Sequence, residues 1–436
     1  MEITEEPVIT KVPTLAVREK RHIMNLVRSI SLNNYSNSSE SLSFAPPCYS
    51  SPCSPLRLFG DSPPSATPVP PPSTTPVPPP KHDKSLTAVT YKCTSSVLTK
   101  DGQILCIAQL NGAIAYTGSE SNVIRIWKLP EFTEVGQLKS KAKMVVALQV
   151  SNDRVFAAYA DCKIRVWSRR SCGEGTKHVR LATIPKTGSY VRSYISGKDK
   201  MMKHMAPISS IDVSLSDDLI YSASLDKTVK VWRNSDLKCI ETIQAHSAPV
   251  NAIVVAENGV LYTASDDATV KVWRRNFGSD NSCLHALIVA LQAKSSPVKT
   301  LTLNDDAGIL YGGCADGCIH YWLKGWFLGQ LQYGGMLQGH THAILCLASF
   351  GKFVISGSAD STVRIWVKPQ DGEHNYVAVL KGHRGPVKSL VAYPVRGLED
   401  SDQDGCVVCT GSMDGVLKLW RVRCSTKQGF NGIVLD

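Results

Sequence analysis

The sequence has no run of about 18 apolar residues, the length a helix needs to cross a bilayer, so no helical membrane span is expected. Its first 30 residues carry charges throughout and lack the apolar core of a secretory leader. The expected location is therefore the cytoplasm and/or the nucleus. The 14 cysteines lack any disulfide order: they are scattered, mostly inside strand patterns, and read as small buried hydrophobes in a reducing compartment. Cys406 and Cys409 form a lone i, i+3 pair in a strand, with no second pair to complete a zinc site. Cys314 and Cys318 flank a tight turn and read as packing. No Gly-rich loop ending in Lys-Ser/Thr is present to cradle a phosphate. Acidic residues are short, 37 against 48 Lys and Arg, for a formal net charge of +11. Residues 1–85 hold 8 basic and 7 acidic residues, or +1, which leaves +10 for the rest. That excess permits an acidic partner without naming one.

What is present is a repeated unit. Leu261 to Trp273, LYTASDDATVKVW, reads as an apolar strand, a polar turn and an alternating strand. Similar units end at Trp127, Trp167, Trp232, Trp322, Trp366 and Trp420, with gaps between successive Trp residues of 40, 65, 41, 49, 44 and 54. In six units an Asp stands six positions before the Trp: Asp161, Asp226, Asp267, Asp316, Asp360 and Asp414. The first unit has Ser121 there. A unit of roughly 40–45 residues with four short strands is the signature of a β-propeller. The expected fold is all-β: one seven-bladed propeller over 86–436, with Trp-ended repeats near 104–129, 143–168, 206–233, 248–274, 297–323, 342–367 and 385–421. The strand within 86–98 stands alone and can complete the last blade; the segment Gly429–Asp436 competes for the same slot.

Residues 1–85 are a different material, holding 16 of the 24 prolines and expected to be a disordered tail. Thr14 to Ile30 carries Ile23, Leu26, Val27 and Ile30 at helical spacing, which fits either a docking helix or a transiently helical tail. Ser51, Ser54, Ser62, Thr67 and Thr75 each precede a proline and are candidate phosphorylation sites. Two insertions depart from the repeat length. Ser168 to His204 has nine Lys/Arg against Glu174 and Asp199, or +7; His178–Ile184 suits an outer strand, and 186–203 is a basic loop. The other insertion, Val395–Gly405, is acidic and lies between the first two strands of the last repeat.

Four units share one set of residues in one order: His204, Ser222, Asp226, Trp232; His246, Thr263, Asp267, Trp273; His340, Ser356, Asp360, Trp366; and His383, Thr410, Asp414, Trp420. Each has the residue types of a hydrolase triad. A catalytic site occurs once, whereas this set recurs in one order in four units. A structural network is expected, with Asp holding His, His reaching the hydroxyl, and the hydroxyl meeting the indole N–H. Nothing gathers a nucleophile, a base and an oxyanion hole in one place, so no enzyme, cofactor or metal is expected.

This pattern resembles the WD-repeat family. Gly339-His340 and Gly382-His383 match its Gly-His element, with Ala245-His246 and Lys203-His204 as variants. The family's closing Trp-Asp is absent: Lys128, Ser168, Arg233, Arg274, Leu323, Val367 and Arg421 follow the seven Trp residues. The Trp-Asp-x-Arg signature of cullin-ligase receptors is therefore missing. Repeats two and five depart further, with Ala157 and Gly312 in place of the hydroxyl. The Ser/Pro-rich leader, single-propeller length and basic insert are similar to plant JINGUBANG-like WD-repeat proteins. The resemblance implies a non-catalytic protein-interaction scaffold, regulatory or signalling, in a plant cell, built on a monomeric propeller. It implies protein partners docked near the Asp turns, at Leu225, Asp266, Ala359 and Met413. The basic insert adds Tyr190, Arg192 and Tyr194 as candidate contacts. A nucleic-acid-associated role using 186–203 is the alternative, weakened by the lack of interleaved aromatics.

Overall fold

The computed structural model describes residues 87–142, 144–172, 175–185, 203–277, 283–293, 296–325, 330–368, 373–394 and 403–426. These form 28 strands in seven sheets of four. The first strand, β1 (Thr87–Leu98), belongs to the last sheet. Blade one then comprises β2 (Ile104–Leu110), β3 (Ile114–Ser119), β4 (Val123–Lys128) and β5 (Thr133–Lys139). Blade two is β6 (Val145–Val150), β7 (Arg154–Tyr159), β8 (Lys163–Cys172) and β9 (Gly175–Ile184). Blade three is β10 (Ile208–Ser214), β11 (Leu219–Ser224), β12 (Thr228–Arg233) and β13 (Cys239–Gln244). Blade four is β14 (Val250–Val255), β15 (Leu261–Ser265), β16 (Thr269–Phe277) and β17 (Cys283–Gln292). Blade five is β18 (Val298–Asn304), β19 (Ile309–Cys314), β20 (Ile319–Lys324) and β21 (Leu331–Leu337). Blade six is β22 (Ile344–Phe350), β23 (Phe353–Ser358), β24 (Val363–Val367) and β25 (Asn375–Leu380). Blade seven is β26 (Val387–Pro394), β27 (Gln403–Ser412), β28 (Val416–Thr426) and, on its outside, β1.

The fold is all-β, a seven-bladed propeller. The first strand of each blade packs against the first strand of the next, from β2 through β26 and back to β2. Of the two candidates for the closing strand, β1 takes the slot, paired antiparallel with β28 from Thr87↔Thr426 to Leu98↔Val416. The join covers what would be a free sheet edge on β28. Gly429–Asp436, residues 1–86 and the candidates within them (Ser51, Ser54, Ser62, Thr67, Thr75), and most of the basic insert lie outside the described residues.

Each interface between neighbouring blades has its own apolar core, seven in all. Every repeat Trp sits in the core shared with the preceding blade: Trp167 packs with Tyr116 and Ile126 of blade one, and Trp232 with Phe156 and Val166 of blade two. Because a sheet has a blade on either side, its second strand is buried on both faces; β11, β19 and β23 are buried at every position. Outer strands such as β5 and β9 are mostly exposed. Cys406 and Cys409 of β27 face different cores, as i, i+3 residues of a strand must. Cys93, Cys106, Cys162, Cys239, Cys314, Cys318, Cys346, Cys406 and Cys409 are free thiols.

A second set of contacts ties blades in pairs. The Tyr116, Tyr221 and Tyr311 hydroxyls lie 2.9, 3.1 and 2.8 Å from Nε2 of His178, His285 and His374, each His belonging to the outer part of the next blade. Burial pushes the His374 imidazole down to about 4, helped by nearby Lys368. His178 is lowered likewise, by burial and then by Arg169. Both imidazoles are therefore neutral and accept from the phenol.

Candidate functional site

The turn between the second and third strands of a blade is built around its Asp. Oδ1 of Asp226, Asp267, Asp360 and Asp414 accepts the backbone N–H two residues on, at 2.9–3.1 Å. The intervening residues Lys227, Ala268, Ser361 and Gly415 have φ of 73, 62, 66 and 79°, the left-handed conformation that such a turn requires. The other carboxylate oxygen then meets a histidine arriving from the loop that enters the first strand. Nδ1 of His204, His246, His340 and His383 lies 2.9, 2.9, 2.8 and 3.3 Å from Oδ2 of its Asp. Nε2 of each lies 2.8 Å from the hydroxyl of Ser222, Thr263, Ser356 or Thr410. The same hydroxyl accepts the indole N–H of Trp232, Trp273, Trp366 or Trp420 at 2.9–3.2 Å.

Proton placement follows from charge. Burial disfavours ionised Asp226, but hydrogen bonds from His204 and Thr228 outweigh it and hold the carboxyl below the usual carboxylate range. Asp267 and Asp360 are lowered in the same way, and Asp414 chiefly by the backbone N–H groups of Arg384 and Val416 and then by His383. Burial lowers His204, His246 and His383 despite the adjacent carboxylates. A neutral imidazole beside a carboxylate donates from Nδ1 and accepts at Nε2. The chain of donors thus runs one way: indole, hydroxyl, imidazole, carboxylate. All four hydroxyl residues are 0% exposed, so no substrate reaches the atom that a hydrolase would use as nucleophile.

Three parts of this network were not anticipated. Thr228, Thr269 and Thr362, two residues after the Asp, donate to its Oδ1 at 2.6 Å and extend three tetrads to five members. Blade seven has Val416 at that position and the longest His–Asp contact. In blade two, Arg165 takes the place of the missing His and grips Asp161 through both guanidinium nitrogens at 2.9 and 2.6 Å. Blade one keeps the Trp127–Thr117 bond at 2.9 Å, and Ser121 stands in for Asp by accepting the Val123 N–H at 3.0 Å. Blade five keeps the Asp turn alone, with Asp316 accepting from Cys318 at 2.9 Å. There Gly317, φ 85°, is obligatory, since a Cβ would lie 2.5 Å from the His340 carbonyl oxygen.

The Asp-turn face surrounds the mouth of the central channel. Every first strand carries a β-bulge at its second residue: Leu105, Val146, Ser209, Asn251, Lys299, Leu345 and Lys388 are the residues skipped in the register. All seven line one cavity of about 320 Å³. A bulge re-aims a side chain that the pleat would point elsewhere, so seven bulges make a ring. Leu225, Ala359 and Met413 form the rim above it with Pro207 and Pro386. Ala359 is only 6% exposed and contributes wall rather than contact, while Leu225 and Met413 are partly exposed. Asp266 stands apart from the lining; its carboxylate accepts from Asn251 at 2.7 Å and Lys299 at 2.6 Å. Tyr190, Arg192 and Tyr194 lie outside the described residues.

The family model for the WD domain, G-beta repeat, matches residues 197–233, 237–274, 331–367 and 374–421. The chain is a WD-repeat protein. The four matched repeats are those that end on the tetrad residues Trp232, Trp273, Trp366 and Trp420. WD-repeat propellers generally serve as protein-interaction scaffolds. This one is similar to the "Putative E3 ubiquitin-protein ligase LIN" of Medicago truncatula, at 24% identity over 69% of this chain and 20% of that protein. It is 21% identical to the human "Kinesin-like protein KIF21B" over 78% of this chain and 17% of that one. It is 27% identical to the "DENN domain and WD repeat-containing protein SCD1" of Arabidopsis thaliana over 34% of this chain and 10% of that one. The WD-repeat protein spans about a tenth to a third of the length of the curated relatives it matches. Among the described residues no helix is long and apolar enough to cross a membrane, and no three His, Cys, Asp or Glu side chains gather as metal ligands.

Proposed function

We propose that this propeller is a non-catalytic adaptor with a regulatory or signalling role in a plant cell, acting in the cytoplasm or nucleus, and that its partners are proteins. The observation that carries the reading is the channel mouth. It presents Leu225, Met413, Pro207 and Pro386 above a ring of bulge residues, and these apolar rim residues are held by backbone bonds to the neighbouring loops, Leu225 N–H to Pro207 O at 3.1 Å and Met413 N–H to Pro386 O at 2.9 Å. A rigid apolar rim around a polar hole suits protein recognition, where a few anchored contacts dominate binding. The tetrads lie just beneath and hold the loops that carry the rim. The test is affinity capture with the full-length protein and with a Leu225→Glu/Met413→Glu variant. The reading expects a set of proteins lost in the variant, with an unchanged melting curve. Capture indifferent to the rim, or RNA and DNA binding that falls steeply with salt, would replace it.

A further inference from the structure

The seven bulge residues differ in what they are already doing. Leu105, Val146 and Leu345 are apolar. Ser209 donates to the Val250 carbonyl at 2.6 Å, Asn251 to the Val298 carbonyl at 2.8 Å, and Lys299 to Asp266 at 2.6 Å. Lys388 alone of the polar four makes no hydrogen bond or ion pair with the described residues. It stands between Leu345 of blade six and Leu105 of blade one. Burial holds Lys388 below the ordinary lysine range and Lys299 lowers it further, so the bare ammonium is disfavoured there until an anion meets it; only Cys346 and Cys106 act the other way. Those thiols give no counter-charge, because burial pushes Cys346 up to about 12 and raises Cys106 as well. Lys299 is thus matched by Asp266 from just outside the lining, and Lys388 is left with no carboxylate partner among the described residues.

A surplus cation in a confined, walled cavity is costly unless an anion completes it. The cavity of about 320 Å³ sits at the small end of ligand pockets, about 300–1,000 Å³. It has room for one side chain. We propose that the channel mouth receives one acidic side chain of the docked protein, its anionic head paired with Lys388 within the field of Lys299. This rests on the reading that partners dock on the Asp-turn face. The apolar rim then covers the neck of that side chain and excludes water, which strengthens the ion pair. Carboxylate and phosphate heads share the required chemistry: a compact anion that accepts from an ammonium donor.

The experiment uses the full-length protein with labelled Met and Leu methyl groups, titrated with inorganic phosphate and, separately, acetate at constant ionic strength. Saturable shifts are expected at Met413, Leu105, Leu345 and Leu225, all of which line the cavity. Lys388→Met should weaken the response about tenfold or more, Lys388→Arg should retain it, and Lys139→Met, an exposed lysine on β5, should leave it unchanged. A response to phosphate alone assigns a phosphorylated side chain; a response to both anions admits Asp or Glu. The methyl spectrum itself reports whether each variant is folded. No saturable shift with either anion, or shifts that survive Lys388→Met, overturns the proposal. If rim variants still abolish capture in that case, only the acidic receptor falls and the docking face stands. Anion binding combined with capture that ignores the rim would deprive the site of its protein partner and overturn the proposal too.

Discussion

Blades three and five have the same four strands in the same order, and each ends its third strand on a buried Trp. Blade three carries the full network of Trp232, Ser222, His204, Asp226 and Thr228. Blade five has Gly312 where the hydroxyl would be, and a Cβ there would press on Trp322 and Val298 at 3.2 Å. The comparison separates two kinds of cause. Packing of Trp and Val/Ile/Leu between neighbouring sheets makes a blade, and all seven have it. The polar network fixes where the loops of the Asp-turn face sit, and only some blades have it whole. Asp is retained in both because its first duty is local, accepting the N–H two residues on; binding a His is added in four blades.

The largest test of this division is Trp→Ala. Trp232→Ala and Trp322→Ala should each cost about 3–5 kcal/mol, nearly alike despite the difference in network, read from denaturant unfolding. A small loss in blade five alone would mean that the network, and not packing, holds a blade. Next comes blade two, where Asp161→Ala would leave Arg165, 6% exposed, without its carboxylate. Removing one partner of a buried ion pair costs about 3–5 kcal/mol, and the partial exposure of Asp161 places this change at the low end. Arg165→Met should be tolerated better than Asp161→Ala.

Acid should act mainly through the networked blades. His204, His246 and His383 have lowered folded values, so the unfolded chain takes up protons first as pH falls below about 6.5. Stability is full above that pH and declines below it. The lowered carboxyls of Asp226, Asp267, Asp360 and Asp414 add to the loss below about pH 4. Asp212, pushed up to about 6 by burial against bonds from Val255, Val213 and Gln149, works in the opposite sense, favouring the folded state as pH drops towards 4. Melting temperatures measured from pH 7.5 to 4 should therefore fall, and His246→Gln should flatten the decline. Asp316→Asn, which touches no imidazole, should leave its shape alone. The smallest effect is a gain: Val416→Thr supplies blade seven with the hydroxyl that three other blades have, for about 0.5–1 kcal/mol. No gain would show that the added bond is redundant there.

The blades were legible because a Trp every 40–65 residues marks the third strand of each, and an Asp six residues earlier marks its turn. The order His, hydroxyl, Asp, Trp was equally visible, since hydroxyl and Trp stand 10 residues apart in all four units and a His precedes the hydroxyl by 16–27. What stayed hidden has physical reasons. Thr228 and Thr269 read as ordinary β-branched strand residues, because sequence does not distinguish a hydroxyl that packs from one that donates. Arg165 lies only four residues after Asp161, whereas the His it replaces comes from the preceding loop, so a motif keyed to a His in that loop passes over it. The Tyr–His pairs join residues 62–64 apart with no shared motif. The bulge ring left no signal at all: alternation reports which face is buried, and first strands buried between two blades do not alternate. Lys388 was one lysine among 48 Lys and Arg until the register placed it in the channel.

The account turns on whether the imidazole, hydroxyl and indole chain adds stability beyond the Asp turn. Asp267→Ala removes both; Asp316→Ala removes only the turn bonds. Urea unfolding of the two variants at pH 7.5 isolates the difference. The network predicts a loss of about 1–3 kcal/mol for Asp267→Ala, which strands His246 and Thr269, and under about 1 kcal/mol for Asp316→Ala. Equal losses in the two blades would contradict it.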